Sequence, residues 1–485
     1  MSHGNTPSIA ILLGALFLLA CVVASKLSSR LGVPALVLFV GLGMLAGSEG
    51  PGGIEFADFE LTKRIGMILL GFILFAGGMD TDWKHLKPVF WRGLSLSTVG
   101  VVCTTAMIGG FARYVLGLSL IEGLLLGAIV SSTDAAAIFS SLRAKGLNLK
   151  DQLAPIVEVE SGTNDPIAVM LTAGLTELAI NPDTSILKSL PSLIIQMPIG
   201  VLVGVLIGKA TVILINRIRL EYDGLYPVLT IAAASATLGL SPLVGGNEFI
   251  AVYACGVVLG SNTFVHKMSL TQFHDGIAWL LQIVVFLSLG LLVFPSQVLP
   301  TMAAGTAFAA FLIFLARPVA VLASLSFAKM TLASKAFVAW AGLRGAFPII
   351  LGTFPILVGL ESGHFIFNLV FFVVMVSVLI QGTTLRYVAG LLGVVSVPSG
   401  QTDLQEVTNS ELLEVSIAHD SPSLGKQVVE LGLPNTALVV LLRRGRENYI
   451  PRGSTVLRAG DTLVVATRKE DDAELKLLLL GPPKA

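Results

Sequence analysis

Apolar runs of about 17 to 25 residues, each long enough to cross a bilayer as a helix, recur from residue 8 to about residue 392. The pattern predicts an all-α polytopic membrane protein with thirteen transmembrane helices. No basic segment or clear cleavage site marks the first run as a removable signal, so we interpret it as a retained span. The spans are expected at residues 8–25, 33–48, 65–79, 94–112, 118–140, 154–178, 190–214, 225–243, 247–261, 276–294, 300–326, 335–358 and 364–391.

Basic residues alternate between rich and poor loops along this series. Every second loop carries Lys and Arg, with 14 of them against 4 in the intervening loops. Because basic loops stay in the cytoplasm, the asymmetry predicts an N-terminus outside the cell and a cytoplasmic C-terminus. That arrangement requires an odd number of spans, as thirteen is.

The polarity pattern changes after about residue 392. We predict a transport domain over 1–392, a linker over 393–402 and a small cytoplasmic α+β domain over 403–485. The segments LLEVSIA, TALVVLLRR and DTLVVAT predict strands, whereas SLGKQVVELGL and KEDDAELKLLLL predict helices. A domain of this size suits regulation or assembly better than catalysis.

Composition supports a membrane protein, with 54% hydrophobic and 13% charged residues. The formal net charge is zero, which gives no indication of a nucleic-acid partner. Fifty glycines suit close helix packing in lipid, and the stripe Gly200, Gly204 and Gly208 is interpreted as a packing face.

Charged groups inside the predicted spans are rare. A charge at mid-membrane costs about 2.5–3.5 kcal/mol even on a lenient scale, so each one is a functional candidate. They fall with neighbouring polar groups in spans five, six, eleven and twelve, as Thr133 and Asp134, then Glu160, Ser161, Asn164 and Asp165, then Arg317, and last Arg344.

Helical spacing sorts the polar residues of span six. Ser161 and Asp165 are four residues apart and share one face, while Glu160 and Asn164 form the adjacent row. The first row offers a hydroxyl and a carboxylate, which are oxygen ligands suited to a hard cation. The second row brings a carboxylate that needs a cationic partner.

Gly162 and Pro166 loosen span six and can free backbone carbonyls as further ligands. Thr133 and Asp134 of span five can complete the cage, which predicts a monovalent-cation site. The Asp165 carboxylate also binds a proton, so proton and cation compete for it. If only a loaded carrier crosses the membrane, that competition gives obligatory exchange.

Several of these residues have structural alternatives. Asp134 can cap a broken helix. Glu160 and Arg344 are interpreted as a structural ion pair. Arg317 is either a fixed counter-charge near the site or a side chain that reaches an interface. Glu158 lies near the end of its span and is interpreted as solvated.

The motifs SSTDAAA, ESGTNDP and GLRGA resemble those of the NhaP-type branch of the monovalent cation:proton antiporters, and the resemblance extends from span one to span thirteen. The pair Asn164 and Asp165 is similar to the signature of the electroneutral members, whereas electrogenic members have two aspartates. A single titrating carboxylate implies exchange of one cation for one proton.

The resemblance also implies residue roles and a fold. By this resemblance Asp165 carries the ion or the proton, and its fellow ligands are Ser161, Asp134 and the backbone at Thr133. Asn164 holds the unwound region. Glu160 pairs with Arg344, and Arg317 stands where electrogenic members carry lysine. The implied fold has two inverted six-helix repeats, spans one to six and eight to thirteen. Spans five and twelve are broken and cross each other. The family forms homodimers and moves its substrate by an elevator-like shift.

Two features favour potassium over sodium. The tail resembles a TrkA-C (RCK C-terminal) domain, a module typical of potassium channels and transporters, and ESGTNDP is closer to potassium/proton members than to the ESLxND form of sodium/proton ones. Span three, IGMILLGFILFAGGM, lacks the carboxylate that some sodium exchangers use as a ligand. A sodium/proton antiporter remains the alternative within the family.

Other classes fit less well. An RCK-gated cation channel is the second alternative, but no segment resembles the carbonyl-lined TVGYG loop. The hypothesis of an enzyme is disfavoured, because the sequence shows no nucleophile paired with a general base. No G-x-G-x-x-G predicts a dinucleotide domain, and no resident metal or cofactor is predicted. Relatives of the tail sometimes bind a cyclic dinucleotide at a dimer interface, and that ligand is kept as an expectation.

Overall fold

Each apolar run is helical in the structure, a computed structural model. It describes residues 6–31, 33–143, 147–150, 152–181, 186–218, 220, 222–264, 266–396, 410–418, 421–433, 437–445, 447–449, 451, 453, 455–468, 475 and 478–480. The chain divides into two compact units, Met1–Val395 and Ser396–Ala485.

The helices of the first unit follow the predicted spans. In its first half they are α1 (Thr6–Leu31), α2 (Ala35–Ala46), α3 (Phe59–Met79), α4 (Trp83–Leu86), α5 (Phe90–Ser95), α6 (Val101–Val115), α7 (Leu120–Ile129), α8 (Ala135–Arg143), α9 (Leu153–Ile180) and α10 (Ile186–Arg217). In its second half they are α11 (Leu225–Leu243), α12 (Glu248–Ser261), α13 (Lys267–Leu292), α14 (Pro295–Val298), α15 (Met302–Phe311), α16 (Arg317–Ser324), α17 (Leu332–Trp340), α18 (Ala346–Leu351), α19 (Thr353–Leu357) and α20 (Gly363–Leu391).

Seven helical segments among the described residues are long and apolar enough to cross a membrane. They are Ile11–Ser28, Phe90–Val115, Ile195–Arg217, Leu225–Leu243, Lys267–Leu292, Pro295–Ser324 and Gly363–Leu391. Four shorter apolar helices, Ala35–Ala46, Leu120–Ile129, Glu248–Ser261 and Ala346–Leu357, accompany them. The unit is therefore a mostly helical protein of membrane type.

Two of the predicted spans are interrupted. In span five the chain is non-helical between Ile129 and Ala135, and in span twelve between Trp340 and Ala346. Two other spans contain a π-helical turn, at Leu96–Gly100 between α5 and α6 and at Leu312–Ala316 between α15 and α16. Such irregular backbone frees polar groups that must find partners inside the protein.

Glycines let the helices approach closely. A Cβ added at Gly204 of α10 would lie 2.1 Å from the Ala251 carbonyl oxygen of α12, and one added at Gly256 of α12 would lie 2.4 Å from the Phe75 carbonyl oxygen of α3. Gly200 and Gly208 meet α12 in the same way. The stripe on α10 is a helix-packing face, as its spacing indicated.

The second unit is built on a four-stranded antiparallel sheet in the order β3 (Ser410–Ser416), β6 (Asp461–Arg468), β4 (Leu438–Arg444), β5 (Glu447–Tyr449). In the first unit, the short strand β1 (Asn148–Leu149) pairs with β2 (Val395–Ser396), which begins at the last residue of that unit. A small apolar core of the second unit includes Val415, Leu442 and Leu463. The three predicted strands are found, and β5 was missed because it is only a short hairpin return.

The helix predicted over SLGKQVVELGL is wrong for most of its length. Only Val428–Leu431 forms a single 3₁₀ turn, after which Gly432 adopts a left-handed conformation with φ 62°. The Val428 N–H donates instead to the Thr455 carbonyl over 3.0 Å, so the segment is held to a neighbouring strand-like stretch. Most of the predicted terminal helix, and residues 397–402 of the linker, lie outside the described residues.

One buried carboxylate supports the fold of the second unit. Asp461 accepts two hydrogen bonds from the Arg444 guanidinium, at 2.8 and 2.7 Å, and one from the Arg458 N–H at 2.8 Å. Burial raises the pKa of Asp461, but these hydrogen bonds and the arginine charges outweigh it and hold that pKa below its ordinary value.

Candidate functional site

The two helix interruptions meet. The Asp134 N–H, before α8, donates to the Leu343 carbonyl, before α18, over 2.8 Å. From the same strand-like stretch, the Arg344 guanidinium donates to the Ser131 and Ser132 carbonyls, each over 2.7 Å. Each break therefore satisfies backbone groups that the other break leaves free, which is why neither can refold into a continuous helix at low cost.

Helix α9 packs beside this crossing and adds polar groups from its middle. The Ser161 hydroxyl donates to the Thr133 carbonyl over 2.8 Å and accepts from the Ala135 N–H over 3.1 Å. The Asn164 amide donates to the Thr133 hydroxyl over 2.7 Å. Both residues hydrogen-bond the non-helical Thr133.

Asp165 lies one helical position beyond Asn164 and is 7% exposed. Its carboxylate accepts a hydrogen bond from the Ser132 hydroxyl. Among the described residues no Lys or Arg forms an ion pair with it, since the buried arginines are engaged elsewhere. A buried carboxylate without a fixed counter-charge needs a mobile cation or a proton.

Asp134 begins α8 as its capping residue. One carboxylate oxygen accepts the Ala137 N–H over 3.0 Å, as expected of an N-cap. The other oxygen faces Gly345, where an added Cβ would lie only 2.3 Å away. The structural alternative for Asp134 is thus observed, and it leaves the second oxygen directed at the crossing point.

Glu160 and Arg317 form the buried ion pair of the site. They are 2% and 4% exposed, and Arg317 also donates to the Val338 carbonyl over 3.2 Å. The predicted pairing of Glu160 with Arg344 is therefore wrong. Arg344 instead donates hydrogen bonds to the backbone carbonyls that the break in span five leaves free. No spacing in the sequence indicates which arginine pairs with Glu160.

Arg317 directly follows the π-helical turn at Leu312–Ala316, and its side chain contacts Glu160 of α9. It is inside the protein, so the alternative that it reaches an interface is excluded. Glu158 is also not simply solvated: it is half-buried and accepts a hydrogen bond from Thr81.

Together these contacts gather oxygen atoms of the kind an alkali cation prefers. Asp165, the second oxygen of Asp134 and the Thr133 carbonyl surround the crossing, and the Asn164 carbonyl oxygen is buried with no partner among the described residues. Carboxylates, an amide and a backbone carbonyl suit a hard cation better than a soft metal.

Two residues of this arrangement were missed. Ser132 donates to Asp165, and Gly345 leaves room for the Asp134 carboxylate. Both lie within the quoted motifs SSTDAAA and GLRGA, so their position next to Thr133 and Arg344 was the available signal.

Comparison with protein families places most of the chain. A model described as "Sodium/hydrogen exchanger, transmembrane" matches residues 15–390. A TrkA-C domain model matches residues 412–480.

Individual relatives match over almost the whole chain. The K(+)/H(+) antiporter NhaP of Alkalimonas amylolytica is 38% identical over 97% of this chain and 83% of its own length. The K(+)/H(+) antiporter NhaP2 of Shewanella sp. (strain ANA-3) is 37% identical over 98% and 83%. Among solved structures, the sodium proton antiporter MjNhaP1 of Methanocaldococcus jannaschii at pH 8 superposes with a TM-score of 0.69, at 25% identity, covering 80% of this chain and 99% of that one.

Proposed function

The chain belongs to the sodium/hydrogen exchanger family, a family of transporters rather than enzymes, and from that premise we propose that it exchanges K⁺ for H⁺ across the cell membrane. One observation carries the proposal. Asp165 is buried at the crossing of two interrupted helices, with oxygen ligands around it and no ion-pair partner among the described residues.

The mechanism is competition for that carboxylate. When Asp165 holds a proton, its charge is neutralised and the cation ligands lose their strongest member. When it is ionised, a cation restores charge balance in a poorly hydrated site. If the site changes sides only in one of these two neutral states, each cation transported one way returns one proton the other way.

Asn164 supports an electroneutral exchange. It occupies the position where a second carboxylate would add a second titrating group, and its amide instead donates a hydrogen bond to the Thr133 hydroxyl. Glu160 adds no mobile charge either, because Arg317 neutralises it. One titrating group gives one proton per monovalent cation.

Potassium is favoured over sodium by two observations. The relatives that match over nearly the full chain are named K(+)/H(+) antiporters, and the tail matches the TrkA-C domain. The solved relative is a sodium proton antiporter, which keeps Na⁺/H⁺ exchange as the alternative.

We propose that all thirteen predicted spans cross the membrane and form two inverted six-helix repeats. Corresponding spans share the same irregularity, which supports the repeat. Spans five and twelve are both interrupted, and spans four and eleven both contain a π-helical turn. The remaining elements of this proposal are an external N-terminus, a homodimer in the lipid bilayer and an elevator-like shift of one helix bundle.

The tail is assigned a regulatory role, with residues 1–392 as transport domain, 393–402 as linker and 403–485 as the TrkA-C domain. A cyclic dinucleotide as its ligand stays a prediction without further support. An RCK-gated channel is the alternative from another class, and it predicts ion flux that persists without proton exchange.

The test is flux into proteoliposomes that contain a pH-sensitive dye. An imposed K⁺ gradient should drive proton movement of the opposite direction, and clamping the voltage with valinomycin should leave its rate unchanged. Na⁺ in place of K⁺ should give a smaller response. Voltage-driven K⁺ flux without proton movement would favour the channel, and a larger Na⁺ response would favour the alternative antiporter.

A further inference from the structure

A second polar cluster lies on α9, toward the N-terminal end of the helix. Glu158, Ser161 and Asp165 recur at intervals that place them on one face, with Glu158 two turns, or about 10 Å, from Asp165. Thr81, at the end of α3, donates to the Glu158 carboxyl group. Glu158 therefore joins the helix that carries the transport site to a neighbouring helix.

The Thr81 hydroxyl has two possible acceptors but only one hydrogen to donate. Its hydroxyl oxygen lies within hydrogen-bond distance of a Glu158 carboxyl oxygen and 2.9 Å from the Gly77 carbonyl oxygen. A hydroxyl has one hydrogen and cannot donate to both. A protonated Glu158 resolves this, because its own O–H donates to Thr81 while Thr81 donates to Gly77. An ionised Glu158 takes the Thr81 hydrogen instead.

The side-chain hydroxyl of Tyr253, on α12, is a further hydrogen-bonding group near Glu158. This hydroxyl is buried, and Thr81 and Glu158 are its polar neighbours. The Tyr253 ring packs on Gly162, where an added Cβ would lie 2.5 Å from the carbon that bears the hydroxyl. Gly162 lies between Glu158 and Asp165 in the sequence of α9, so the Tyr253 ring contacts the helix between these two positions.

The charged surroundings permit both protonation states. Glu160, in the next row of α9, is neutralised by Arg317. Helices α4 and α5 pack beside α9 and bring basic residues, while Asp80 ends α3 and the Lys267 ammonium donates to the Gly260 carbonyl beside Thr81. The basic residues on α4, on α5 and directly after α4 are Lys84, His85, Lys87 and Arg92. Nearby positive charge favours the ionised carboxylate, and burial favours the neutral one.

We propose that Glu158, held by Thr81 and flanked by the Tyr253 hydroxyl, is a second proton-binding group of the exchange reaction. The inference rests on the proposed function. The proton leaves the Asp165 carboxyl group, which becomes a carboxylate free for a cation, and the Glu158 carboxylate takes that proton. Glu158 then releases it to water at the end of α9, so charge is conserved at each step.

Two transport modes test this role. Self-exchange of ⁸⁶Rb⁺ for Rb⁺ at equal pH needs only the cation-loaded site, whereas proton flux driven by a Rb⁺ gradient needs proton transfer as well. Glu158→Gln should lower the ratio of coupled flux to self-exchange by about 10²-fold, the lower end of what a positioned proton-transfer group contributes. Tyr253→Phe should lower the same ratio by less.

Glu177→Gln is the matched control, because Glu177 lies on the same helix and only accepts from Asn181 at its exposed end. A merely structural Glu158 would reduce both modes equally, and an unchanged ratio in both variants would also overturn the proposal. If Glu158→Gln does not fold, Thr81→Val compared with Thr81→Ser gives the same test. A wild-type chain without either mode would instead refute the proposed function itself.

Discussion

The pairing of Glu160 with Arg317 gives a quantitative prediction. Both side chains are almost completely buried, at 2% and 4% exposure, so neither charge can be hydrated if its partner is removed. Breaking such a pair costs about 3–5 kcal/mol of stability. We therefore expect Arg317→Met to destabilise the protein by about that amount, and Glu160→Met to do so as well.

The double variant should recover much of the loss, because two apolar side chains leave no unpaired charge behind. The double variant should therefore be no less stable than either single variant, which corresponds in the cycle of these variants to a coupling energy of at least about 3 kcal/mol, the upper end for residues in contact. Unfolding by SDS, followed by circular dichroism of the purified protein in micelles, measures each free energy.

The same cycle with Glu160→Met and Arg344→Met is the control. Arg344 hydrogen-bonds the carbonyls of Ser131 and Ser132 and forms no ion pair with Glu160 among the described residues, so its loss should be costly but coupled less strongly to Glu160. A larger coupling in this second cycle than in the first would refute the assignment of the ion pair.

Three further outcomes follow from the contacts. Gly345→Ala should reduce transport by about ten-fold or more, because its Cβ would lie 2.3 Å from the carboxylate that caps α8, whereas Gly390→Ala, with no atom within 4 Å, should leave it unchanged in the same flux assay. Thr172→Val should raise the thermal unfolding temperature, since the Thr172 hydroxyl is buried with no hydrogen-bond partner in the described part of the chain, and Thr230→Val should lower it, since that hydroxyl bonds a histidine over 2.8 Å. The pKa of Asp461 is lowered in the folded tail, so its ionised carboxylate stabilises the tail at neutral pH and this contribution declines as pH falls below about 4. Asp461→Asn should therefore weaken hydrogen-exchange protection of β6 at pH 7, and the difference from wild type should shrink as pH falls below about 4.

The sequence was most informative where periodicity and charge coincide. Ser161 and Asp165 share a helix face because of their spacing alone, and a carboxylate in an apolar span is rare enough to mark the site. Thr133 and Asp134 were placed beside them by the same reasoning, and the structure brings all four together. Positions of helices were predictable because hydrophobic length determines where a chain can cross lipid.

Partner choice was not predictable. Glu160 pairs with Arg317, while the other buried arginine, Arg344, donates to backbone carbonyls, and no residue pattern indicates this division. The helix predicted before Gly432 is wrong because a tertiary hydrogen bond from the Val428 N–H to the Thr455 carbonyl outweighs the local periodicity. Glu158 was misplaced for a similar reason, since its partner Thr81 comes from a helix far away in sequence.

Competition at Asp165 is tested most directly by proton release from the purified protein. Adding K⁺ to the detergent-solubilised chain in a weakly buffered solution, with a pH indicator present, should release protons in proportion to the cation bound, approaching one for one. Asp165→Asn should bind little K⁺ and release none. Proton release that is the same in both proteins would contradict a shared site for cation and proton at this carboxylate.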